Sequence, residues 1–179
     1  MNYVACAFTG HRPSKLPWKD DETSPLFLRF RETVEAKVDA LAKSGVVNFL
    51  SGMAEGADLE CAEIVLALRE KNPAIKLHCA VPFIRQAEKW TASSRERYGA
   101  ILSQADSVIY VSRDYTPNCY RERNRLMVDF SAMLIAVYNG NARSGTGMTV
   151  RYARKLGREI FVIDPASLQV AHEKQGAPI

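Results

Sequence analysis

Short apolar runs alternate along this chain with stretches of helical periodicity, and that alternation decides the fold class. The runs are Tyr3–Phe8, Val46–Leu50, Ile75–Val81, Ser107–Val111, Ala132–Tyr138 and Glu159–Ile163. They are continuous and rich in valine and isoleucine, as strands covered on both faces are. After the first run, Leu26, Phe30, Val34, Val38 and Leu41 recur at spacings of three or four, which places them in one stripe on a helix. Ser24 stands at its capping position, Pro25 at its first turn and Gly45 past its end. A second stripe, Ala57, Cys61, Ile64, Val65 and Leu68, is stopped by Asn72-Pro73. Further helices are expected over Gln86–Ser103, broken near Thr91–Ser94, and over Arg121–Phe130 and Met148–Leu156. Strand and helix in strict turn imply right-handed crossovers. The expected fold is therefore α/β: a Rossmann-like three-layer αβα sandwich with a mostly parallel sheet.

The 179 residues suit a single domain, expected over 1–168, followed by a frayed polar tail over 169–179. No apolar run approaches the roughly 18 residues of a membrane span. The N-terminus lacks the basic start of a signal peptide, so a cytoplasmic protein is expected. Cys6, Cys61, Cys79 and Cys119 form no C-x-x-C pair and read as buried free thiols in a reducing compartment. No metal site and no cofactor is expected. The net charge of +4 suits an anionic small molecule and is too mild to argue for nucleic acid. A homo-oligomer or a protein partner is left open.

Nearly every polar or glycine-rich cluster lies just after a strand. Thr9-Gly10-His11-Arg12-Pro13 follows the first, Ser51-Gly52-Met53-Ala54-Glu55-Gly56-Ala57-Asp58 the second and Pro82-Phe83 the third. Ser112–Tyr115 follows the fourth, and Asn139–Gly147 the fifth. A parallel sheet gathers these ends on one rim, where ligands bind. Gly52 and Gly56 would let backbone approach a ligand, and the N–H groups opening the next helix could hold an anion. The turn Ser144-Gly145-Thr146-Gly147 offers the same chemistry again. One such loop reads equally as a tight turn with Ser51 or Thr146 as a cap, but two on one rim favour a phosphorylated ligand.

Asp58 reads either as compensation of the helix dipole or as an acceptor for ligand hydroxyls, and Glu55 as dipole compensation. Arg113, Arg121, Arg123 and Arg125 could fork onto phosphate. On a helix Arg121 and Arg125 share a face, and Arg123 points elsewhere. His11 is the only histidine in a rim loop. The irregular segment Arg12–Thr23, with Trp18 and Asp20-Asp21-Glu22, has the length of a lid. Walker A, G-x-G-x-x-G after the first strand, H-E-x-x-H and G-x-S-x-G are all absent.

Taken together, several of these motifs resemble the YpsA-like family of the SLOG superfamily. They are Thr9–Pro13 with Lys15-Leu16, Ser51–Asp58, Pro82-Phe83 with Gln86 and Trp90, Arg97-Tyr98, Ala105-Asp106 and Arg123–Asp129. The likeness runs from about residue 3 to residue 164. That superfamily includes the DNA-processing protein DprA and the Lonely Guy cytokinin-activating enzymes. The resemblance implies a Rossmann-like fold and binding or sensing of a nucleotide-type ligand, in some relatives tied to bacterial stress or cell division. Its glycine-plus-acid signature falls on Gly56 and Asp58. Together with the rim, it implies a ligand set of Thr9, Gly10, His11, Arg12, Ser51, Gly52, Gly56, Asp58, Pro82, Arg123, Asn124, Ser144, Gly145 and Thr146.

The likeness to Lonely Guy enzymes is partial. Arg123 falls at their catalytic arginine and Gly145-Thr146 at their Gly-Thr pair, but Thr149 stands where their catalytic glutamate would be. Two glycines of their loop are replaced around Asn141–Arg143. Binding is therefore the leading expectation. An alternative is an enzyme hydrolysing a nucleotide derivative, with Asp58, Glu55 or Asp129 supplying the carboxylate. A second alternative is a DprA-like nucleic-acid binder, which would need a contiguous basic surface.

Overall fold

A computed structural model describes residues 4–174; the expected strand start at Tyr3 and the end of the expected tail, 175–179, lie outside the described residues. Strands β1 (Ala5–Gly10), β2 (Asn48–Ser51), β3 (Lys76–Phe83), β4 (Ser107–Ser112), β5 (Met133–Val137) and β6 (Glu159–Ile163) appear where the apolar runs lie. They alternate with α1 (Pro25–Lys43), α2 (Ala57–Lys71), α3 (Ala92–Gln104), α4 (Cys119–Asp129) and α5 (Gly145–Lys155). The sheet order is β4-β3-β2-β1-β5-β6 with a further strand, β7 (Val170–Glu173), at the β6 edge. The first six strands are parallel, and β7 runs antiparallel to β6.

Alternation along each strand sorts the core into two layers. Phe8, Phe49, Leu77 and Val81 face α1, α2 and α3, where Phe30, Val34 and Val38 are fully buried. Burial of each such side chain stabilises the fold by about 1.5–3 kcal/mol. The opposite face carries Ala5, Ala7, Ala80 and Ala136, small enough for Met127 and Val128 of α4 and Val150 and Ala153 of α5 to settle against the sheet. The chain steps outward from β1 to β4 and returns to β5 beside β1, pairing Thr9 with Ala136 and Gly10 with Val137. The direction of winding reverses there, so a crevice opens between the C-terminal ends of β1 and β5.

Four local expectations need correction. The tail is not frayed over Val170–Glu173: it pairs with β6, His172 stacks on Phe161 at 4.5 Å and Glu173 pairs with Arg154 at 2.7 Å. Those four mostly exposed residues carry no apolar pattern to announce a strand. Residues 86–90 form turns rather than helix, and α3 starts only after Thr91, whose hydroxyl accepts from Ser94 N–H. Helix α5 begins earlier than its apolar stripe, because Ser144 caps it by accepting from Gly147 N–H at 3.0 Å. The Arg12–Thr23 segment is no free lid. Leu16 and Trp18 are buried, and the Trp18 ring stacks on Phe30 with centroids 4.6 Å apart. All four cysteines are free and buried, Cys119 included, although its neighbours in sequence are polar. No helix among the described residues is long and apolar enough to cross a membrane.

Candidate functional site

A cavity of about 290 Å³ occupies the crevice between β1 and β5. Thr9, Gly10, His11 and Arg12 enter it from the β1 loop, Asp58 from α2, Arg123 and Asn124 from α4, and Ser144, Gly145 and Thr146 from α5. Ser14, Lys15, Ala54 and Tyr120 complete the wall. Of these, Tyr120 stands in the first turn of α4 and belongs to none of the glycine or polar clusters of the sequence. It lies under the Arg12 guanidinium, 5.9 Å from ring centroid to Cζ.

Ser51, Gly52, Gly56 and Pro82 do not line this cavity. Ser51 is fully buried, donates to the Asp58 carbonyl at 2.9 Å and accepts from Met53 N–H at 3.1 Å, tying the end of β2 to the start of α2. Met53 itself holds φ at +57°, a conformation that costs a non-glycine residue about 1–3 kcal/mol and persists only where its surroundings enforce it. Gln86 helps to do so by donating to the Met53 carbonyl at 2.9 Å. Gly52 makes room for Arg123, not for a ligand: a Cβ there would stand 2.6 Å from the guanidinium carbon and 2.7 Å from Asp58 Oδ2.

Gly56 holds φ at +91°, and a Cβ there would stand 2.6 Å from the His11 carbonyl, which accepts from Ala57 N–H at 3.3 Å. The β1 loop thus occupies the start of α2. Pro82 is buried within β3.

Helix α5 begins at the cavity wall. Its cap satisfies Gly147 N–H, while the N–H groups of Gly145 and Thr146 meet no partner among the described residues. Unpaired N–H groups and the helix dipole together favour an anion. A Cβ on Gly145 would meet nothing within 4 Å, so space opens in front of it.

At the floor, Arg123 Nη1 lies 3.5 Å from Asp58 Oδ2 and also donates to the Gly52 carbonyl. Both residues are about 5% exposed. Burial pushes the Asp58 carboxyl above its ordinary value, opposed by the Arg123 charge, and burial also lowers Arg123. Asp58 Oδ1 and Arg123 Nε find no hydrogen-bond partner among the described residues. His11 lies within 2.8 Å of the Asn139 side-chain oxygen, and burial lowers its pKa from 6.5, so the imidazole is neutral near neutral pH. Thr149 Oγ1 donates to the Gly145 carbonyl at 3.0 Å and accepts from Asn124 at 2.9 Å, so its proton is already committed.

A larger cavity of about 1080 Å³ adjoins, sharing Arg12 and Ser14 and bounded by Trp18, Glu55, Glu60 and Arg97. Size does not make it the better anion site. Its Arg97 is engaged by Glu60 at 2.5 Å and by Glu63, and Arg31 meets Glu60 at 2.6 Å. Among the described residues no cluster of three or more histidine, cysteine or acidic side chains is placed to hold a metal ion.

Comparisons with known proteins accord with this architecture. Residues 6–168 match the YspA SLOG family. The chain is similar to the uncharacterised SPbeta prophage-derived protein YoqJ of Bacillus subtilis, 30% identical over 157 residues, or 79% of this chain and 91% of that protein. A UPF0398 protein of Bacillus pumilus is 34% identical over 136 residues, 74% of this chain and 72% of its own. Among solved structures, DprA of Streptococcus pneumoniae superimposes with a TM-score of 0.63 at 19% identity, covering 93% of this chain. DprA of Helicobacter pylori, described for its single-stranded DNA binding mode, superimposes with a TM-score of 0.58 at 20% identity over 90% of this chain. These likenesses show the fold. The chain spans 52% and 65% of the two DprA chains.

Proposed function

This chain belongs to the YspA SLOG family, and from that footing we propose that it binds a phosphorylated nucleotide-type ligand in the cavity between β1 and β5. One observation carries the reading: the open start of α5 faces the buried Asp58–Arg123 pair across the crevice. A phosphate at Gly145 and Thr146 would accept from their N–H groups, with Arg12 and Lys15 at the wall adding positive charge. Asp58 Oδ1, buried and without a partner, is an acceptor that a ribose hydroxyl would satisfy.

Binding without efficient turnover is the favoured form of this reading. Thr149 has no carboxylate to offer, and a positioned acid or base contributes about a hundred- to ten-thousand-fold in rate. A hydrolytic second reading has one observation behind it. Asp58, which lines the cavity, combines a raised pKa with a buried oxygen that has no hydrogen-bond partner, a combination found at catalytic carboxyls as well as in structural ion pairs. Single-stranded DNA binding, described for the H. pylori relative, is the competing use of the same fold.

The test is calorimetric titration with AMP and with adenosine, followed by chromatography of the mixture for free base. Binding of AMP but not adenosine, with no base released, is the expected result. Equal affinity for the two would remove the phosphate from the account, and repeated turnover would make the hydrolytic reading the better one.

A further inference from the structure

A groove of about 460 Å³ between α4 and α5 opens directly off the rim cavity, and Tyr120, Asn124 and Gly145 line both. Four cations line the groove: Arg121 and Arg125, one turn apart on α4, and Arg151 and Lys155, one turn apart on α5. No acidic side chain lines it. Among the described residues none of the four makes an ion pair. Arg121 donates to the Asn118 side-chain oxygen, Arg151 to the Ala142 carbonyl, and Arg125 lies 5.4 Å from the Tyr152 ring centroid. Elsewhere Arg31, Arg69, Arg97 and Arg154 meet carboxylates, and cations without an ion pair, such as Arg29 and Arg113, line no cavity named above; what sets the groove apart is that four such cations share it. Four like charges gathered without a counter-charge repel one another, and an anion between them would reverse the sign of that term.

Resting on the reading above, we propose that the ligand carries more than one phosphate. The first sits at the start of α5, and the remainder run past Gly145 into the α4–α5 groove. The ligand class is then a nucleoside di- or triphosphate, or a nucleotide extended through a pyrophosphate link, in preference to a monophosphate. Gly145 is the junction: it supplies an unpaired N–H to the first phosphate, and its missing side chain leaves the passage open. Tyr152 is oriented by its 2.7 Å hydrogen bond to Asp129 and presents its ring beneath Arg125.

The test is titration of the full chain with AMP, ADP and ATP, without added divalent metal, for the wild type and an Arg121→Ala/Lys155→Ala variant. Both residues are exposed and their charges repel their neighbours, so the variant should melt no lower than the wild type, which confirms folding. Affinity should rise on the order of tenfold from AMP to ATP, shrink as salt is added, and lose that rise in the variant while AMP binding is kept. AMP binding with no gain for ATP, or a gain that survives in the variant, overturns the groove assignment and leaves the rim site standing. Failure of all three nucleotides to bind removes the rim site itself. Tighter binding of oligo(dT), strengthening with strand length, would overturn the small-ligand assignment in favour of a single-stranded nucleic acid.

Discussion

Arg123 of α4 reaches over the end of the sheet to within 3.5 Å of Asp58 of α2, so the two helical layers are joined by one buried ion pair. Both partners are costly to bury, and each is tolerable only because the other is there. The pair forms the floor of the crevice, so the contact that ties the two layers together also lines the cavity.

Removing one partner should therefore be expensive. Asp58→Ala leaves Arg123 as an uncompensated buried charge and is expected to cost about 3–5 kcal/mol in urea unfolding. A loss below about 1 kcal/mol, the range of an exposed pair, would show that water reaches the guanidinium.

The two glycines of the rim should behave oppositely. Gly56→Ala forces a side chain onto a backbone at φ +91° and against the His11 carbonyl, and should cost at least about 1–3 kcal/mol. Gly145→Ala projects into open space at the first position of α5 and should be neutral or stabilising by up to about 1 kcal/mol. Equal losses at the two positions would contradict this assignment of their roles.

Trp18→Ala should cost about 3–5 kcal/mol, since the indole is buried against Phe27 and Phe30. It should also make the 12–23 segment newly sensitive to limited proteolysis. A variant as stable as the wild type would restore the segment to the status of a lid.

The outline of the fold was readable because it rests on period-two and period-3.6 patterns. The rim was readable because a parallel sheet sends every β-to-α loop the same way. What the sequence concealed was which glycines face open space and which face the protein. Gly52, Gly56 and Gly145 look alike as letters. Only the packed chain shows Arg123 in front of the first, the His11 carbonyl in front of the second and empty space before the third. Strand β7 was hidden for another reason: an exposed edge strand needs no apolar face. Trp18 was hidden because a single aromatic in an irregular loop has no period to reveal its partners.

Burial lowers the pKa of His11, and the unfolded chain should titrate near about 6.5. As pH falls through that value the unfolded state takes up a proton that the folded imidazole resists, so this contribution to stability is present above about pH 6.5 and declines below it. Asp58 and Glu60, both raised by burial, act in the opposite sense. The useful quantity is therefore the difference between wild type and His11→Gln. That difference should shift against the wild type as pH drops from about 7.5 to 5.5. A pH-independent difference would mean that water or a neighbour keeps the folded imidazole as basic as the free one.

The central claim is that a phosphate sits at the open start of α5, and calorimetric titration of Gly145→Val with AMP tests it most directly. The added isopropyl group would enter the open space beside the Gly145 and Thr146 N–H groups, where a Cβ meets no atom within 4 Å beyond its chain neighbours and its own helix. The expected result is a variant that melts no lower than the wild type yet loses AMP binding. A folded variant that binds AMP as tightly as the wild type would contradict it.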